Sequence, residues 1–446
     1  MVRGGVARNS ASAEFARLEA RQLFSTINVM DFGAIANGQG NSRGAIEAAL
    51  DSAKPGDTVV FPTGEFKIRG DLNVPSGVTV SGAGSTSTHL IFTLNQPGDG
   101  LNLDGNDSNV TVEGFDITSN YGVLGMTQGS YYSNVAILGN SIQYARGSTT
   151  SDWGDGMEIT VPNDQTTIEY NYFHDSPVIG ARNWSIYDPT NAEINYNLDY
   201  NIWDGGHIMV ASSSSSTNSY SFNYGTEIIN KGIEIQSYGP GTQGNFTVDG
   251  NVFYNWLNPN GQTFGLSIPL LFSPAVSAKD NYIAATVAPG SSMQAGQHFG
   301  YGIEFGGINA VASGNILIGP WGNGTGVGDF GYSAQDEQFN NNQLYGVSPG
   351  TNPFSEEPGQ NPSAVLGSGS KANLIDSNVN DAPAPPTNTF AGPAYVGQVV
   401  SLPAPTGGST ASAPASSSSA SSSNSSSGDE STTQRLEDIT QYRSTK

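Results

Sequence analysis

The 446-residue chain contains no cysteine. Disulfides and thiolate–metal centres are therefore excluded, and burial and hydrogen bonding alone must hold the fold together. Charge is also scarce, with Asp, Glu, Lys and Arg making up 12% of residues, and it is lopsided. Sixteen Lys and Arg against 39 Asp and Glu leave a formal net charge of −23. Such a surface makes nucleic acid and membranes poor partners. A polyanionic substrate would be repelled unless a cation intervened. Basic side chains are rarest in the middle of the chain, where residues 100–345 hold Arg146, Arg182, Lys231 and Lys279. No apolar run approaches the length of a membrane span. The opening MVRGGVARNSASAEFARLEARQLF has no apolar signal-peptide core. The expected location is nonetheless extracellular, at the cell surface or on a virion, reached by another route.

What the chain has in abundance is glycine, at 57 positions, with Asn, Ser and Thr supplying polarity. That composition suits short strands joined by tight turns. A repeat then emerges: SNVAILGNSI (133–142), TTIEYNYF (166–173), NAEINYNL (191–198), GNFTVDGNVF (244–253), AVSAKDNYI (275–283) and NAVASGNIL (309–317). Its aligned asparagines are Asn140, Asn171, Asn197, Asn251, Asn281, Asn315 and Asn342, spaced by 31, 26, 54, 30, 34 and 27 residues. The 54-residue gap reads as two repeats with Gly225 in the missing place. A period near 30 residues identifies one solenoid coil per repeat. Stacked Asn amides at one inward turn can satisfy backbone groups and each other. A second strand per coil alternates apolar and polar residues, as in GMEIT (156–160), NWSIY (183–187), HIMVA (207–211), GIEIQ (232–236) and GIEFG (302–306).

The passage INVMDFGAIANGQGNSRGAIEAALDSAKPGDTVVFPTGEFKI reads as a strand at 28–30, a Gly-rich turn, a helix over 43–53 and a strand at 58–61. It resembles the opening of pectate-lyase-like (pectin-lyase-fold) proteins, DFGA-x-GDG-x-x-DD followed by a short helix and a VxxPxGxY strand. Asn41 and Ser42 stand where that pattern has paired acids, so no chemistry is assigned there. The resemblance implies an all-β, right-handed, single-stranded parallel β-helix. The expected organisation is an N-terminal segment with an amphipathic capping helix (1–27), the parallel β-helix (28–380), a Pro-rich segment (381–408) and a disordered Ser-rich linker and tail (409–446).

Aligning the second strands puts Glu158, Ser185, Met209, Glu234, Ser267 and Glu304 in one outward column. The column before it holds Gly156, Asn183, His207, Gly232, Gly265 and Gly302. Coils lie about 4.8 Å apart, which places Glu234 and Glu304 roughly 10 Å apart at the backbone. Long side chains can bring such a pair to the ~6.5–9.5 Å used by inverting glycosidases. Solubilising charge is the ordinary reading of any one surface acid. The cluster with His207 nevertheless suggests a catalytic set of Asp155, Glu158, Asp204, His207, Glu234 and Glu304. Trp153, Arg182, Tyr187, Trp203 and Tyr238 are the expected substrate contacts.

The expected function is therefore a polysaccharide-active β-helix protein, with glycoside hydrolysis by acid/base carboxylates placed first. Lyase or epimerase chemistry is the alternative. It needs a base beside a uronate carboxylate and a cation to neutralise that carboxylate, with Arg182 the basic candidate. A phage tailspike-type depolymerase and a non-catalytic surface adhesin or structural protein also remain open. WDGGHIMV (203–210) and GDGMEI (154–159) resemble the GGHG and TDG strands of polygalacturonases, without their paired-Asp and RIK-type motifs. Neither the DPHE-type motif of mannuronan epimerases nor calcium-binding Gly-Asp nonapeptides are found. No cofactor is expected for hydrolysis, and Ca²⁺ enters only with lyase chemistry. The expected partner is a polysaccharide or oligosaccharide, and the expected state is a monomer or homotrimer.

Overall fold

The computed structural model describes residues 24–103, most strands and tight turns between 108 and 287, and the segments 303–308, 310–319, 338–346, 374–376 and 382–384. The capping helix expected before residue 24 falls outside these residues. So does nearly all of the Pro-rich segment and the Ser-rich tail.

The chain winds as a right-handed parallel β-helix, the predicted class. One sheet runs in an unbroken path from Thr26–Asn28 to Gln338–Asn340, each strand parallel to its neighbour one coil on. A second sheet takes the rest of each coil, usually as two short strands. In Leu198–Val210 and Tyr224–Ser237 those two strands merge into one long strand.

Alternation explains the core. Val112, Ile137, Ile168, Ile194 and Tyr220 stand in register in the first sheet and are all buried. Leu124, Met157 and Trp184 do the same in the second. Each fully buried aliphatic side chain contributes about 1.5–3 kcal/mol, and the columns join into one continuous core because no single coil could close on itself. The helix Arg43–Ser52 forms where the spacing predicts it and buries Ile46, Ala49 and Leu50 in that core. The expected strand at 28–30 begins earlier, as Thr26–Asn28. Asn28 then caps a 3₁₀ turn over Val29–Phe32, its Oδ1 accepting from the Met30 amide at 2.9 Å. Side-chain capping here outcompetes strand propensity.

The asparagine ladder forms and is complete from Asn140 to Asn342. From Asn171 on, each Oδ1 accepts both the backbone N–H and the Nδ2 of the Asn one coil earlier, as in Asn140 to Asn171 at 3.0 and 3.2 Å. The sequence reading needs one correction. Asn223, not Gly225, fills the missing rung: Asn197 donates to Asn223 and Asn223 to Asn251. Gly225 instead lies beside Phe253 in the inward column.

The residue before each ladder Asn takes a left-handed turn. Glycine serves at Gly139, Gly250 and Gly314, whereas Tyr170, Tyr196 and Phe222 adopt φ of 58° in three consecutive coils. Bulky residues rarely accept that conformation. Their rings stack in parallel, with centroids 5.2 and 5.3 Å apart, which offsets part of the strain.

Candidate functional site

The site grows from an irregularity in the second sheet. The strand Tyr224–Ser237 carries one extra residue, running from Ile228 to Lys231 where Leu198–Val210 runs from Ile202 to Asp204. Gly205 and Gly206 then both turn toward the interior. A Cβ on Gly206 would fall on the Trp184 indole, and one on Gly205 would meet the Gly232 carbonyl and come within 3.6 Å of Asp199 Oδ2. Two successive inward positions leave Asp204 and His207 on one outer face, in unshifted register with Arg182 and Ser185 on the preceding coil.

This corrects the sequence-based columns. His207 pairs with Ser185 on one side and Glu234 on the other, so it belongs to the Glu158 column, which continues through Ser267 to Glu304. Met209 pairs instead with Tyr187 and Gln236. The two-residue offset arises because GGHIM (205–209), and not HIMVA, is the segment in register with NWSIY (183–187). A second register column runs through Asp155, Arg182, Asp204 and Lys231, alternating in sign from coil to coil. Opposite charges at adjacent positions favour that pairing.

Where the columns meet, Arg182 Nη1 lies 2.8 Å from His207 Nδ1. The guanidinium can only donate, so Nδ1 accepts and the neutral imidazole carries its proton on Nε2. Glu234 is the register neighbour of His207 on the next coil. These groups were expected to be exposed, and they are not. Arg182 and Asp204 are 7% exposed, Ser185 and Glu234 5% and His207 3%. The site is a desolvated cluster of two carboxylates, an imidazole and a guanidinium on the outward side of the sheet. Electrostatic interactions there are stronger than on an open wall.

Beneath it lies a group that sequence reasoning missed. Asn183 occupies the column of Gly156 and Gly205, and its Nδ2 donates to Asp199 Oδ1 at 2.6 Å. The Tyr144 hydroxyl donates to Asn183 Oδ1 at 3.3 Å. Asp199 itself is inward, in register with Phe173 and Gly225. Burial pushes its carboxyl up to about 7, with the Asn183 hydrogen bond opposing. The available signal was Asn183 breaking a run of glycines, and an acid standing in a column of Ile and Phe.

The remaining predicted residues divide as follows. Asp155, Glu158 and Glu304 have backbones in the two columns, and their side chains lie outside the described residues. Trp153 and Tyr238 lie outside them altogether. Trp203, expected as a sugar platform, is partly buried against the core instead. Tyr187 follows Ile186 and is partly exposed. Among the described residues no group of three His, Cys, Asp or Glu is placed to hold a metal ion.

Comparisons with known proteins agree with this architecture. The family described as rhamnogalacturonase A/epimerase, pectate lyase-like, matches residues 26–121. The chain folds as a pectate-lyase-like parallel β-helix. Among curated proteins it is similar to mannuronan C5-epimerase AlgE5 of Azotobacter vinelandii, at 26% identity over 260 residues, 51% of this chain. Mannuronan C5-epimerase AlgE4 of the same organism is 32% identical over 114 residues, 22% of this chain. The chain spans only 24% and 19% of those two proteins. Among solved structures, the pre-mature gene product 12 of bacteriophage phi29 aligns with a TM-score of 0.49 at 15% identity. It covers 78% of this chain and 53% of that one.

Proposed function

We propose that the outer face around Arg182, Asp204, His207 and Glu234 performs acid–base chemistry on a polysaccharide outside the cell. The reaction it is best equipped for is removal of the C5 proton of a uronate unit, leading to epimerisation or elimination. The observation that carries this reading is the buried Arg182–His207 contact beside Glu234. Abstraction next to a carboxylate requires a fixed positive charge to stabilise the enolate that develops, and a desolvated guanidinium supplies one. Glu234 serves as base. The Nε2–H of the neutral His207 donates a hydrogen bond to the developing enolate; in elimination the proton taken by Glu234 passes to the leaving oxygen, and in epimerisation water returns a proton to the opposite face while Glu234 releases its own to solvent. The same guanidinium answers the objection raised by a net charge of −23, because it neutralises the substrate locally. Similarity to mannuronan C5-epimerases supports the uronate, though it covers half of this chain.

Hydrolysis is the second reading, favoured by Asp204 and Glu234 being buried carboxylates on adjacent coils. A separation in the range of roughly 6.5–9.5 Å would suit an inverting glycosidase. A glycan panel separates the two. Lyase activity raises ultraviolet absorbance without water uptake, epimerisation changes the sugar without breaking the chain, and hydrolysis raises reducing ends alone. Reducing ends from a neutral glycan, with no change in any polyuronate, would overturn the first reading.

A further inference from the structure

On the other half of the second sheet Ser141 and His174 meet across adjacent coils. Ser141 Oγ lies 2.9 Å from His174 Nε2, and His174 Nδ1 lies 3.1 Å from Asp175 Oδ2. We propose that Ser141, His174 and Asp175 form a second active site, one that cleaves acyl esters. It is independent of the uronate chemistry proposed above.

Successive residues in a strand point to opposite faces, so Asp175 would ordinarily point inward after an outward His174. It takes a left-handed φ of 50°, which returns its carboxylate to the side of its neighbour's imidazole. Asn201, one coil on, has the same φ, and its Nδ2 donates to Asp175 Oδ1 at 2.9 Å. The carboxylate is thus held from both sides. With Asp175 on Nδ1, the imidazole proton sits there and Nε2 is left to accept from the serine. That connectivity, and not mere proximity, defines a nucleophile–base–orienting carboxylate arrangement.

The surroundings suit an ester. Tyr172, the register neighbour of Ser141, stacks on His174 with centroids 4.5 Å apart and restrains the ring. Tyr200 pairs with His174 on the other side, giving an aromatic wall for an acyl group. Asp116, next to Ser141 on the preceding coil, has its carboxylate engaged by His89 Nδ1 at 2.8 Å. Gln143 Nε2 donates to the Asp175 carbonyl at 3.4 Å and has a second N–H to offer an oxyanion. The His174 side chain is 18% exposed, open to a substrate yet partly desolvated.

In the first step Ser141 Oγ bonds the ester carbonyl carbon while its proton passes to His174 Nε2. The bond to the alcohol oxygen then breaks, and that oxygen takes the proton from Nε2. Water attacks the acyl-serine with His174 again as base, releasing the carboxylic acid and restoring the hydroxyl. Ester and water become acid and alcohol.

The test uses the full chain, p-nitrophenyl acetate and a fluorophosphonate. The wild type should hydrolyse the ester with kcat/KM about 10³-fold above Ser141→Ala or His174→Ala, with the double variant no worse than either. The fluorophosphonate should modify Ser141. Asp175→Asn should cut the rate and move the acidic limb of the pH–rate profile to lower pH, an effect a merely structural role would not produce. Ser141→Cys places the chain's only thiol at this position, and mass spectrometry should find it acetylated by the ester. Hydrolysis unchanged in Ser141→Ala, absence of wild-type turnover, or labelling elsewhere overturns the proposal. Failure here leaves the polysaccharide reading untouched.

Discussion

Arg182 and His207 sit on adjacent coils with Nη1 and Nδ1 2.8 Å apart, and both are almost wholly withdrawn from solvent. A buried guanidinium donating to an imidazole keeps that imidazole neutral and fixes its tautomer, which few surface histidines experience. Arg182→Lys keeps the charge and loses the planar fork. Turnover of a polyuronate should fall about 10²-fold in that variant with folding intact, and Arg182→Ala should be lower still. Equal loss of KM-level binding alone, with kcat unchanged, would place Arg182 in binding and not in transition-state stabilisation.

Gly206→Ala tests how the site is seated. The added Cβ falls on the Trp184 indole, so the backbone that delivers His207 must shift. Overpacking of this kind costs about 1–3 kcal/mol. Thermal unfolding should report that loss, and activity should fall further than stability does because His207 is displaced from Glu234. Unchanged melting would contradict the inward placement of Gly206 against Trp184.

Asn223 gives a stability prediction. Its side chain accepts from Asn197 and donates to the Ile194 carbonyl and to Asn251. Asn223→Ala strands several buried partners, each worth about 1–3 kcal/mol when left unsatisfied. Denaturant unfolding should show a loss of roughly 3 kcal/mol or more, whereas Gly225→Ala probes only the space beside Phe253.

The carboxyl of Asp199, raised from 3.8 to about 7 by burial, couples folding to pH. Between those two values the folded state holds a proton that the unfolded state has released. Stability therefore falls as pH rises from about 4 to 7, by up to about 4 kcal/mol, and then levels. Asp199→Asn, which keeps an acceptor for Asn183, should flatten that slope and raise the melting temperature at pH 8. A wild-type melting temperature that rises across this window would contradict the assignment.

The repeat, the inward alternation and the Asn ladder were legible because each is written as a period. The helix at 43–52 and the strand at 58–61 were legible for the same local reasons. The missing rung was not, because Tyr220 and Gly225 flank Asn223 where Ile168 and Phe173 flank Asn171 and Val248 and Phe253 flank Asn251, which takes it outside the apolar pattern of the repeat. The site residues Arg182, Asp204, His207 and Glu234 were all named from sequence. Their relation was not, since Asn183, Gly205 and Gly232 all turn inward beside an inward neighbour, which simple strand alternation does not foresee. Burial of outward acids was also hidden, because strand alternation says which way a side chain points and not what lies over it. Asp175 shows the same limit: its left-handed φ, which no repeat encodes, is what turns it toward His174.

The most direct measurement of the central claim is solvent deuterium incorporation at C5 of a polyuronate in D₂O, followed by NMR for the wild type and for Glu234→Gln. The account predicts deuterium at C5, or unsaturated chain ends, with the wild type and at least 10³-fold less with the variant. Deuterium incorporation at the wild-type rate by Glu234→Gln, or none by the wild type on any polyuronate, would contradict it.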